Sequence, residues 1–563
     1  MAEFSDGYVF KLFIMKYRLI FIVYISSIIL CCCTHSDSGK YFVRPCEFVC
    51  DYPFNDTTKW TITCRVWGLL KYYHPNVSAG KLDWDKVLLD RFFDIDSSST
   101  PELVNEELRK MLDSAGEYEY KKGDLNDSLK MNLDLCWIDG SFLEEDLREE
   151  LKRIASVKIG FPAYYSIDFT NVMLPNEKEY TVDLSESSSK YRLLSLFRYW
   201  NVIYYFFPHK YLMDQSWDKI LNEYIFPFIN VTDSLSYKMT FLKLATTLND
   251  GHSYLSFTDI HPMESYDIVE IVNGNTVIKI DAGGLQKGDI IRCVGEREID
   301  NIRDSLSIFT SASTQWNKEY RINCYVAEMV FLKETDVVIS RNGTILKVHM
   351  QPVTFENTRS SSYERISEKI GYVVLSAITT EEMNTMFQSF SDAEFIIFDL
   401  RKMGKNLYDS HLFYCHLLDK KSSSFSSMII PDPENPGAFF MHKNPQILND
   451  DSIKCFHFKG KVVFLINEFS QSGSEHIALF GRDNYNAILI GRPTSGTLGR
   501  ITKIPLPEGH WAMFSNFGEF SFDGSEYQRK GIIPDIEVYP TMESIKAGKD
   551  EILEAAIEHI TIH

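Results

Sequence analysis

A serine at the predicted start of a helix is the strongest candidate for chemistry in this sequence. The apolar run Lys461–Asn467 has the length of a buried strand, and a helix is predicted to begin at Ser472. Unpaired backbone N–H groups and the positive end of the helix dipole meet at such a position, and both stabilise an oxyanion that forms beside the serine oxygen. Ser472 is therefore a candidate nucleophile, and the N–H group of Gly473 is a candidate oxyanion donor.

The same residues also allow a purely structural role. Ser472 and Glu475 have the spacing of a capping box, in which each side chain accepts a hydrogen bond from the backbone N–H of the other residue. Most serines in such boxes only satisfy backbone donors. From the local sequence alone, catalysis and capping both remain open.

Further motifs accompany Ser472 along the chain. Together they resemble the C-terminal processing peptidases and the tricorn-like serine peptidases, over roughly residues 192 to 540. The resemblance implies a serine peptidase with Ser472 as its nucleophile. The motifs are Leu248-Asn249-Asp250-Gly251-His252, Asp399-Leu400-Arg401, Ser470-Gln471-Ser472-Gly473-Ser474-Glu475, Gly491-Arg492-Pro493-Thr494-Ser495-Gly496 and Lys530-Gly531-Ile532-Ile533-Pro534-Asp535.

The resemblance also indicates the general base. Members of this family use either a Ser–Lys dyad or a Ser–His arrangement, and Thr497 occupies the position of the dyad lysine. The resemblance therefore implies that His252 takes the proton from Ser472. A histidine in a polar turn is otherwise more often simply solvated.

Two departures from the family pattern bear on activity. Gln528 stands where tricorn-type members have the glutamate that orients the histidine, and an amide cannot balance an imidazolium charge. Glu526 is a candidate substitute. The family's Gly-Gly pair is replaced by Lys402-Met403-Gly404-Lys405-Asn406, which leaves Gly404 as a second candidate oxyanion donor beside Gly473.

The middle of the chain is rich in predicted strands and contains Gly284-Leu285-Gln286-Lys287-Gly288-Asp289-Ile290-Ile291. This stretch resembles a PDZ domain, which binds an extended peptide at a sheet edge. The resemblance implies peptide binding at Gly284 and Leu285, although any β-barrel can contain a Gly-Asp turn. We expect Arg303–Val326 to be an irregular insertion. The predicted strands are Asp267–Val272, Thr276–Ile280, Thr335–Ser340 and Thr344–Met350.

An internal repeat precedes this region. A shift of the chain by 133 residues aligns Arg65, Trp67, Pro75 and Trp84-Asp85-Lys86 with Arg198, Trp200, Pro208 and Trp217-Asp218-Lys219. Each copy predicts a helix, a loop and a second helix. We expect Trp67 and Trp200 to pack in a core, with an aromatic ligand site as the alternative.

The N-terminus carries a targeting pattern. Met15-Lys16-Tyr17-Arg18 is basic, and the apolar run Leu19–Leu30 ends at three cysteines. This pattern resembles a bacterial lipoprotein signal with Cys33 as the lipidated residue and Cys31 and Cys32 as rivals. The alternative is a transmembrane helix, but the run is shorter than the roughly 20 residues that a bilayer requires.

Composition narrows the classes of partner. The formal net charge of −20 would repel a phosphate backbone, so nucleic acid is not an expected partner. The 14 histidines and 11 cysteines show no metal spacing, and no phosphate-binding loop is present, so we expect neither a metal nor a cofactor. Cys46 and Cys50 are close enough to pair, but the sequence does not establish connectivity.

We therefore predict a multidomain α+β protein with an N-terminal helical repeat domain, a PDZ-like β domain and a ClpP/crotonase-like α/β peptidase core. The short apolar runs from residue 370 onward predict buried strands with right-handed crossovers. The expected boundaries are a signal peptide (1–33), a linker (34–58), the helical domain with His252 (59–260), the PDZ-like domain (261–354), the peptidase core (355–545) and a C-terminal helix (546–563).

Three functions are compatible with this organisation. The first is a lipid-anchored serine endopeptidase of the bacterial cell envelope that cleaves peptides or unfolded chain ends by a Ser–His mechanism. The second is a catalytically degenerate relative that only binds peptides, which Gln528 and the Lys405-Asn406 pair favour. The third is an envelope scaffold that assembles through its helical repeat. The oligomeric state and the membrane face stay open.

Overall fold

The structure, a computed structural model, describes most of the chain after residue 52. The predicted signal peptide, Cys33, Cys46–Cys50 and Gly404 lie outside the described residues. All described residues belong to one unit, Val43–His563, and none of their helices is both long enough and apolar enough to cross a membrane. The described ranges are 53–123, 131–139, 142–168, 171–180, 189–257, 268–355, 362–401, 410–418, 422–447, 455–521 and 523–562.

The N-terminal part is helical. Its first helix begins three residues before residue 59, because the Asn55 side chain accepts a hydrogen bond from Thr58 N (3.0 Å) and caps it. A short two-stranded sheet, Ser166–Ile167 with Val172–Met173, interrupts the helices. The helices are Asp56–Tyr73, Pro75–Ser78, Trp84–Ser97, Pro101–Ala115, Glu145–Ala155, Ser189–Phe206, Trp217–Asn230 and Ser234–Thr246, with short 3-10 turns at Cys136–Asp139 and Lys210–Leu212.

Two helix pairs match each other: Asp56–Tyr73 with Trp84–Ser97, and Ser189–Phe206 with Trp217–Asn230. Asp56–Tyr73 and Ser189–Phe206 are both 18 residues long, and Trp84–Ser97 and Trp217–Asn230 are both 14. Within each pair, the two indole N–H groups donate to the carbonyl of the other tryptophan: 3.2 and 2.9 Å for Trp67 and Trp84, 2.9 and 3.0 Å for Trp200 and Trp217. All four tryptophans are buried, so they pack the core of this region.

One buried and one partly buried ion pair connect the two helix pairs. The Arg65 guanidinium contacts the Asp218 carboxylate, and the Arg198 guanidinium contacts the Asp85 carboxylate. Each arginine therefore neutralises the aspartate of the other pair, as a buried charge requires. Arg198 also donates to Pro505 O (3.2 Å), which ties the helices to a strand near the C-terminal end of the chain.

A small β domain follows, with strands in the order Val269–Val272, Asn275–Ile278, Ile290–Val294, Thr335–Arg341 and Thr344–Met350. The short strand Arg297–Glu298 pairs with Ile290–Val294. Our expectation of an irregular insertion at Arg303–Val326 is wrong, because this stretch lies mainly in the helices Ile299–Ser307 and Gln315–Phe331. Thr314 caps the second helix, and its apolar residues at helical spacing pack on the sheet: Ile322, Val326 and Val330.

The third part contains a six-stranded sheet, parallel except for one edge strand. Its order is Tyr363–Ser367, Ile370–Val374, Phe395–Asp399, Lys461–Ile466, Ile488–Gly491 and Ile536–Glu537, with the first strand antiparallel. Helices cover both faces of the sheet, which explains the continuous apolar runs. These helices are Thr380–Ser389, Ser410–Leu417, Gly473–Tyr485 and Glu551–Ile562, whereas the helix Met542–Ala547 packs on the small β domain.

Two antiparallel sheets that the sequence did not predict complete the fold. One has the order Phe439–Ile447, Ser422–Pro431 and Gly518–Ser521. The other has the order Ile501–Pro505, Trp511–Ser515 and Tyr254–Leu255. The second sheet positions the site, because it joins the chain just after His252 to a hairpin of the C-terminal part.

Candidate active site

Ser472 lies at the junction of the strand Lys461–Ile466 and the helix Gly473–Tyr485, as the sequence predicted. Its φ of 55° and ψ of −113° are unusual for a residue with a side chain, and such a conformation costs about 1–3 kcal/mol. Two acceptors hold it in place, because Ser472 N–H points to Thr497 O (3.0 Å) and to Glu475 Oε2 (3.1 Å). The side chain is half-buried, and its hydroxyl lies 3.5 Å from Gly499 O.

Gly473 is the first residue of this helix. Its N–H has no intrahelical acceptor, and within the described part of the chain no other acceptor for it is recorded. The group therefore lies beside Ser472 with its donor capacity unused. This is the arrangement that an oxyanion donor needs.

The Glu475 carboxylate is the centre of a buried network. Oε1 accepts hydrogen bonds from Thr494 Oγ1 (2.6 Å) and Gly496 N (2.8 Å). Oε2 accepts from Thr497 N (3.0 Å) and from Ser472 N and Ser495 Oγ (3.1 and 3.2 Å). Burial raises the pKa of Glu475, and these donors oppose that rise by favouring the charged form. Glu475 therefore caps the helix and orders the loop beside the nucleophile.

The loop 491–496 pairs with the motif that begins at Lys530. Thr494 N donates to Ile532 O (3.1 Å), and Ile532 N donates to Thr494 Oγ1 (2.7 Å). Gly496 has a φ of +69°, and a Cβ there would lie 2.8 Å from Gly531 N, so a glycine is required. The sequence motifs therefore belong to one structural unit around Ser472.

His252 is buried beside a second carboxylate. Its Nδ1 lies 2.8 Å from Ser515 Oγ, and the Ser515 hydroxyl donates to Asp250 Oδ1 (2.8 Å). Burial lowers the pKa of His252 to about 4; Asp250 opposes this shift, whereas Arg321 and His209 reinforce it. The imidazole is therefore neutral at physiological pH, which is the protonation state of a general base.

The residues that precede His252 and Ser472 are in contact. Arg321 donates to Gly251 O (2.6 Å) and to Gln471 Oε1 (2.9 Å). Thr497 contacts the chain at both residues. Its carbonyl oxygen accepts the Ser472 N–H, and its Oγ1 would lie 2.1 Å from a Cβ added to Gly251, the residue before His252. The structure brings His252 and Ser472 into one cluster, although no hydrogen bond between their side chains is recorded.

Gln528 and Glu526 have other partners. Gln528 Oε1 accepts Leu498 N–H (3.1 Å), and its Nε2 lies 3.4 Å from Ser313 Oγ. Glu526 accepts the Tyr211 hydroxyl and lies 3.3 Å from Lys530 Nζ. Within the described residues neither side chain is recorded in a hydrogen bond with His252, whose Nδ1 lies beside Ser515 Oγ.

The Gly284-Leu285 turn, which was predicted to bind peptide, also makes hydrogen bonds within its own domain. Leu285 is buried in the core of the small β domain, and its N–H donates to Ala282 O (3.0 Å). Gly284, with a φ of +92°, accepts a hydrogen bond from Arg341 (2.9 Å). Within the ranges that the structure describes, no group of three or more His, Cys, Asp or Glu side chains could hold a metal ion.

Sequence reasoning missed four residues around His252. Asp250 was inside a recognised motif but had no role assigned to it, and its proximity to His252 was the available signal. Ser515, Ser313 and Arg321 lie in segments without a motif, and Ser515 is 263 residues from His252 in sequence. Only the pairing of the strands Trp511–Ser515 and Tyr254–Leu255 brings Ser515 to the site.

The mainly parallel sheet, the strained serine at the start of a helix and the buried histidine in the same cluster form an arrangement that can support hydrolase chemistry. Residues 369–538 match the model of peptidase family S41. The chain therefore carries an S41-family peptidase domain, and the resemblance to the C-terminal processing and tricorn-like serine peptidases is confirmed. No curated protein sequence is significantly similar to the chain.

Several solved structures are similar to this chain. Mature CPAF complexed with lactacystin is 13% identical, with a TM-score of 0.51, over 66% of this chain and 97% of that one. A putative peptidase from Parabacteroides merdae is 17% identical, with a TM-score of 0.42, over 66% and 96%. The photosystem II D1 C-terminal processing protease is 16% identical, with a TM-score of 0.38, over 65% and 99%. At such identity the CPAF likeness concerns the fold alone.

The Glu475 network yields a stability prediction. We expect Glu475→Gln to lower the free energy of unfolding by about 2–4 kcal/mol, because the amide NH₂ would face backbone N–H groups that lose their acceptor. Chemical denaturation of the full chain measures the change. The matched control is Glu558→Gln on the exposed face of the last helix, which should change stability by less than about 0.5 kcal/mol. Equal stability of both variants would contradict the role given to Glu475.

Proposed function

We propose that this chain is a serine endopeptidase that hydrolyses peptide bonds through Ser472 and His252. The observation that carries the proposal is the geometry at Ser472: a strained serine, an adjacent N–H with no acceptor among the described residues, and a buried neutral histidine in the same cluster. The S41 match supplies the reaction class. A peptide or protein is the corresponding substrate.

The proposed reaction proceeds by acyl transfer. Ser472 Oγ attacks the carbonyl carbon of the scissile bond while its proton passes to His252 Nε2. The carbonyl oxygen becomes an oxyanion, which the N–H of Gly473 stabilises. The protonated imidazole then gives the proton to the leaving amine as the C–N bond breaks. Water hydrolyses the acyl-enzyme in the same manner and restores Ser472.

A second candidate function is peptide binding without turnover. Two observations favour it: Gln528 replaces the family glutamate, and no hydrogen bond joins the side chains of Ser472 and His252 in the described residues. Serine–base hydrogen bonds are often long in ligand-free enzymes, which makes the endopeptidase the better supported function. The probe experiment below distinguishes the two functions.

The remaining domains have proposed roles in binding and architecture. We propose that the small β domain is PDZ-like and offers an edge strand to an extended peptide. Because the Leu285 N–H donates to Ala282 O within the turn, strand addition is better supported than capture of a terminal carboxylate. The helical part, with its two matching helix pairs, is proposed to be a repeat domain that carries His252.

We also propose export and lipid anchoring through Cys33. The support is the N-terminal sequence pattern, together with the Cys415–Cys455 disulfide, since such bonds persist in oxidising compartments. In cells fed an alkyne fatty acid, we expect wild-type chain to be labelled and Cys33→Ala to be unlabelled. Cys293→Ala is the control. Labelling that persists in Cys33→Ala would move the anchor to another residue.

The nucleophile is tested with a fluorophosphonate probe. We expect the purified full chain to be labelled covalently, and Ser472→Ala to lose the label completely because the attacking oxygen is gone. Ser474→Ala is the matched control, since its hydroxyl is buried without a recorded hydrogen-bond partner and lies on the same helix. Loss of label in the Ser474 variant alone would overturn the assignment, and an unlabelled wild type would favour the binding protein.

The pH dependence of labelling tests the base. Because the pKa of His252 is lowered to about 4, the imidazole stays neutral well below the ordinary histidine range. The labelling rate should therefore be nearly constant from neutral pH to about pH 5 and fall to half near the lowered pKa. Tryptophan fluorescence over the same range controls for unfolding. A half-loss near the ordinary histidine pKa, with the fold intact, would indicate a solvated base instead of buried His252.

A further inference from the structure

The histidine of the proposed site is connected to a carboxylate through a serine hydroxyl. His252 Nδ1 lies 2.8 Å from Ser515 Oγ, and Ser515 Oγ–H donates to Asp250 Oδ1 at 2.8 Å. Two backbone groups hold the same carboxylate: Ser515 N donates to Oδ2 (2.7 Å) and His252 N to Oδ1 (3.1 Å). All three side chains are buried, so solvent does not compete for these hydrogen bonds.

The chemistry of the donors sets the direction of this chain of hydrogen bonds. The Asp250 carboxylate can only accept, so the single hydroxyl proton of Ser515 points to it. Ser515 Oγ is then left with lone pairs toward the imidazole, and His252 Nδ1 must carry the proton that they accept. A neutral imidazole protonated at Nδ1 has its lone pair at Nε2. That nitrogen is the atom that the proposed mechanism uses.

We propose that Ser515 and Asp250 are the positioning residues of His252 and hold its imidazole in the Nδ1–H tautomer with Nε2 as the base. This inference rests on the proposed function for its catalytic consequence, but the tautomer itself does not depend on catalysis. When Nε2 takes a proton from Ser472, the positive charge is stabilised by Asp250 through the polarised Ser515 hydroxyl. We call this His252–Ser515–Asp250 chain of hydrogen bonds the relay, and no proton has to move along it.

In the relay, Asp250 and not residue 528 is the carboxylate position that orients His252, although the sequence motifs indicate position 528. Gln528 is used to bind Leu498 N–H, and Glu526 binds Tyr211 and lies near Lys530. Asp250, in contrast, is 0% exposed and directly hydrogen-bonded to both other members of the relay. The missing family glutamate therefore does not leave the histidine without a carboxylate.

The tautomer is measured directly by ¹⁵N NMR of histidine-labelled full chain. The His252 signals are identified by their loss in His252→Gln. We expect the neutral ring at pH 7 to show protonated Nδ1 and unprotonated Nε2. A wild-type spectrum with protonated Nε2 would overturn the inference, whatever the behaviour of any variant. The measurement requires no substrate, so it remains informative if the peptidase proposal fails.

The catalytic consequence is measured with the fluorophosphonate probe, as its saturating rate and its half-saturating concentration. Ser515→Ala should lower the saturating rate by about 10²-fold or more with little change in the half-saturating concentration, since orientation of the base is lost and the probe site is not. Ser515→Thr keeps the hydroxyl and should recover most of the rate. Ser253→Ala is the matched control, because that buried hydroxyl donates to Ala245 O (3.1 Å) outside the relay.

The outcomes separate the two proposals. Labelling of Ser515→Ala at the wild-type rate would overturn the relay while leaving Ser472 as the nucleophile. An unlabelled wild type that shows the Nδ1–H tautomer would support the relay and contradict the peptidase. Gln528→Glu provides a further comparison, since a faster rate in that variant would return the orienting role to position 528.

Discussion

The site depends on one buried carboxylate, that of Glu475. A charge in a protein interior is costly unless enough donors surround it, and Glu475 is surrounded by five. Three of these donors are backbone N–H groups, including that of Ser472 itself. The strained backbone of the serine, the helix start and the loop 491–499 are thus held by a single side chain. Replacement of any of these parts would leave the carboxylate or its donors unsatisfied, which explains why the motifs occur together.

The cluster around Ser472 is assembled from all three parts of the chain. His252 comes from the end of the helical part, Ser472 from the parallel sheet and Arg321 from the long helix of the small β domain. The first turn of that helix contacts the two segments beside Ser472. Trp316 Nε1 donates to Thr494 O (2.6 Å) in the loop 491–496, and Asn317 Nδ2 donates to Glu468 O (2.8 Å) in the segment that precedes Ser472. The small β domain therefore contributes to the geometry of the site as well as lying beside it.

Local patterns predicted the elements better than the contacts between them. The strand Thr344–Met350 has the predicted bounds, and Ser472 precedes a helix, because alternation and cap residues are properties of short segments. The helix Gln315–Phe331 was missed although its apolar residues have helical spacing. The contact between His252 and Ser515 could not be predicted from the sequence, because the tertiary fold determines which strands pair across 263 residues. Motifs carried the prediction of Ser472, whereas the partners of His252 required the structure.

The replacement of the family glutamate by Gln528 has a physical rationale in this structure. Position 528 is 1% exposed, and Ser313 Oγ connects it to Gly251, next to Asp250. A glutamate there would place another negative charge in a region that already contains Asp250 and Glu475, and each additional buried charge without a matching cation raises the cost of folding. The amide satisfies Leu498 N–H without that cost. A neutral residue at 528 is therefore compatible with an active histidine, provided that the negative charge reaches the imidazole from Asp250.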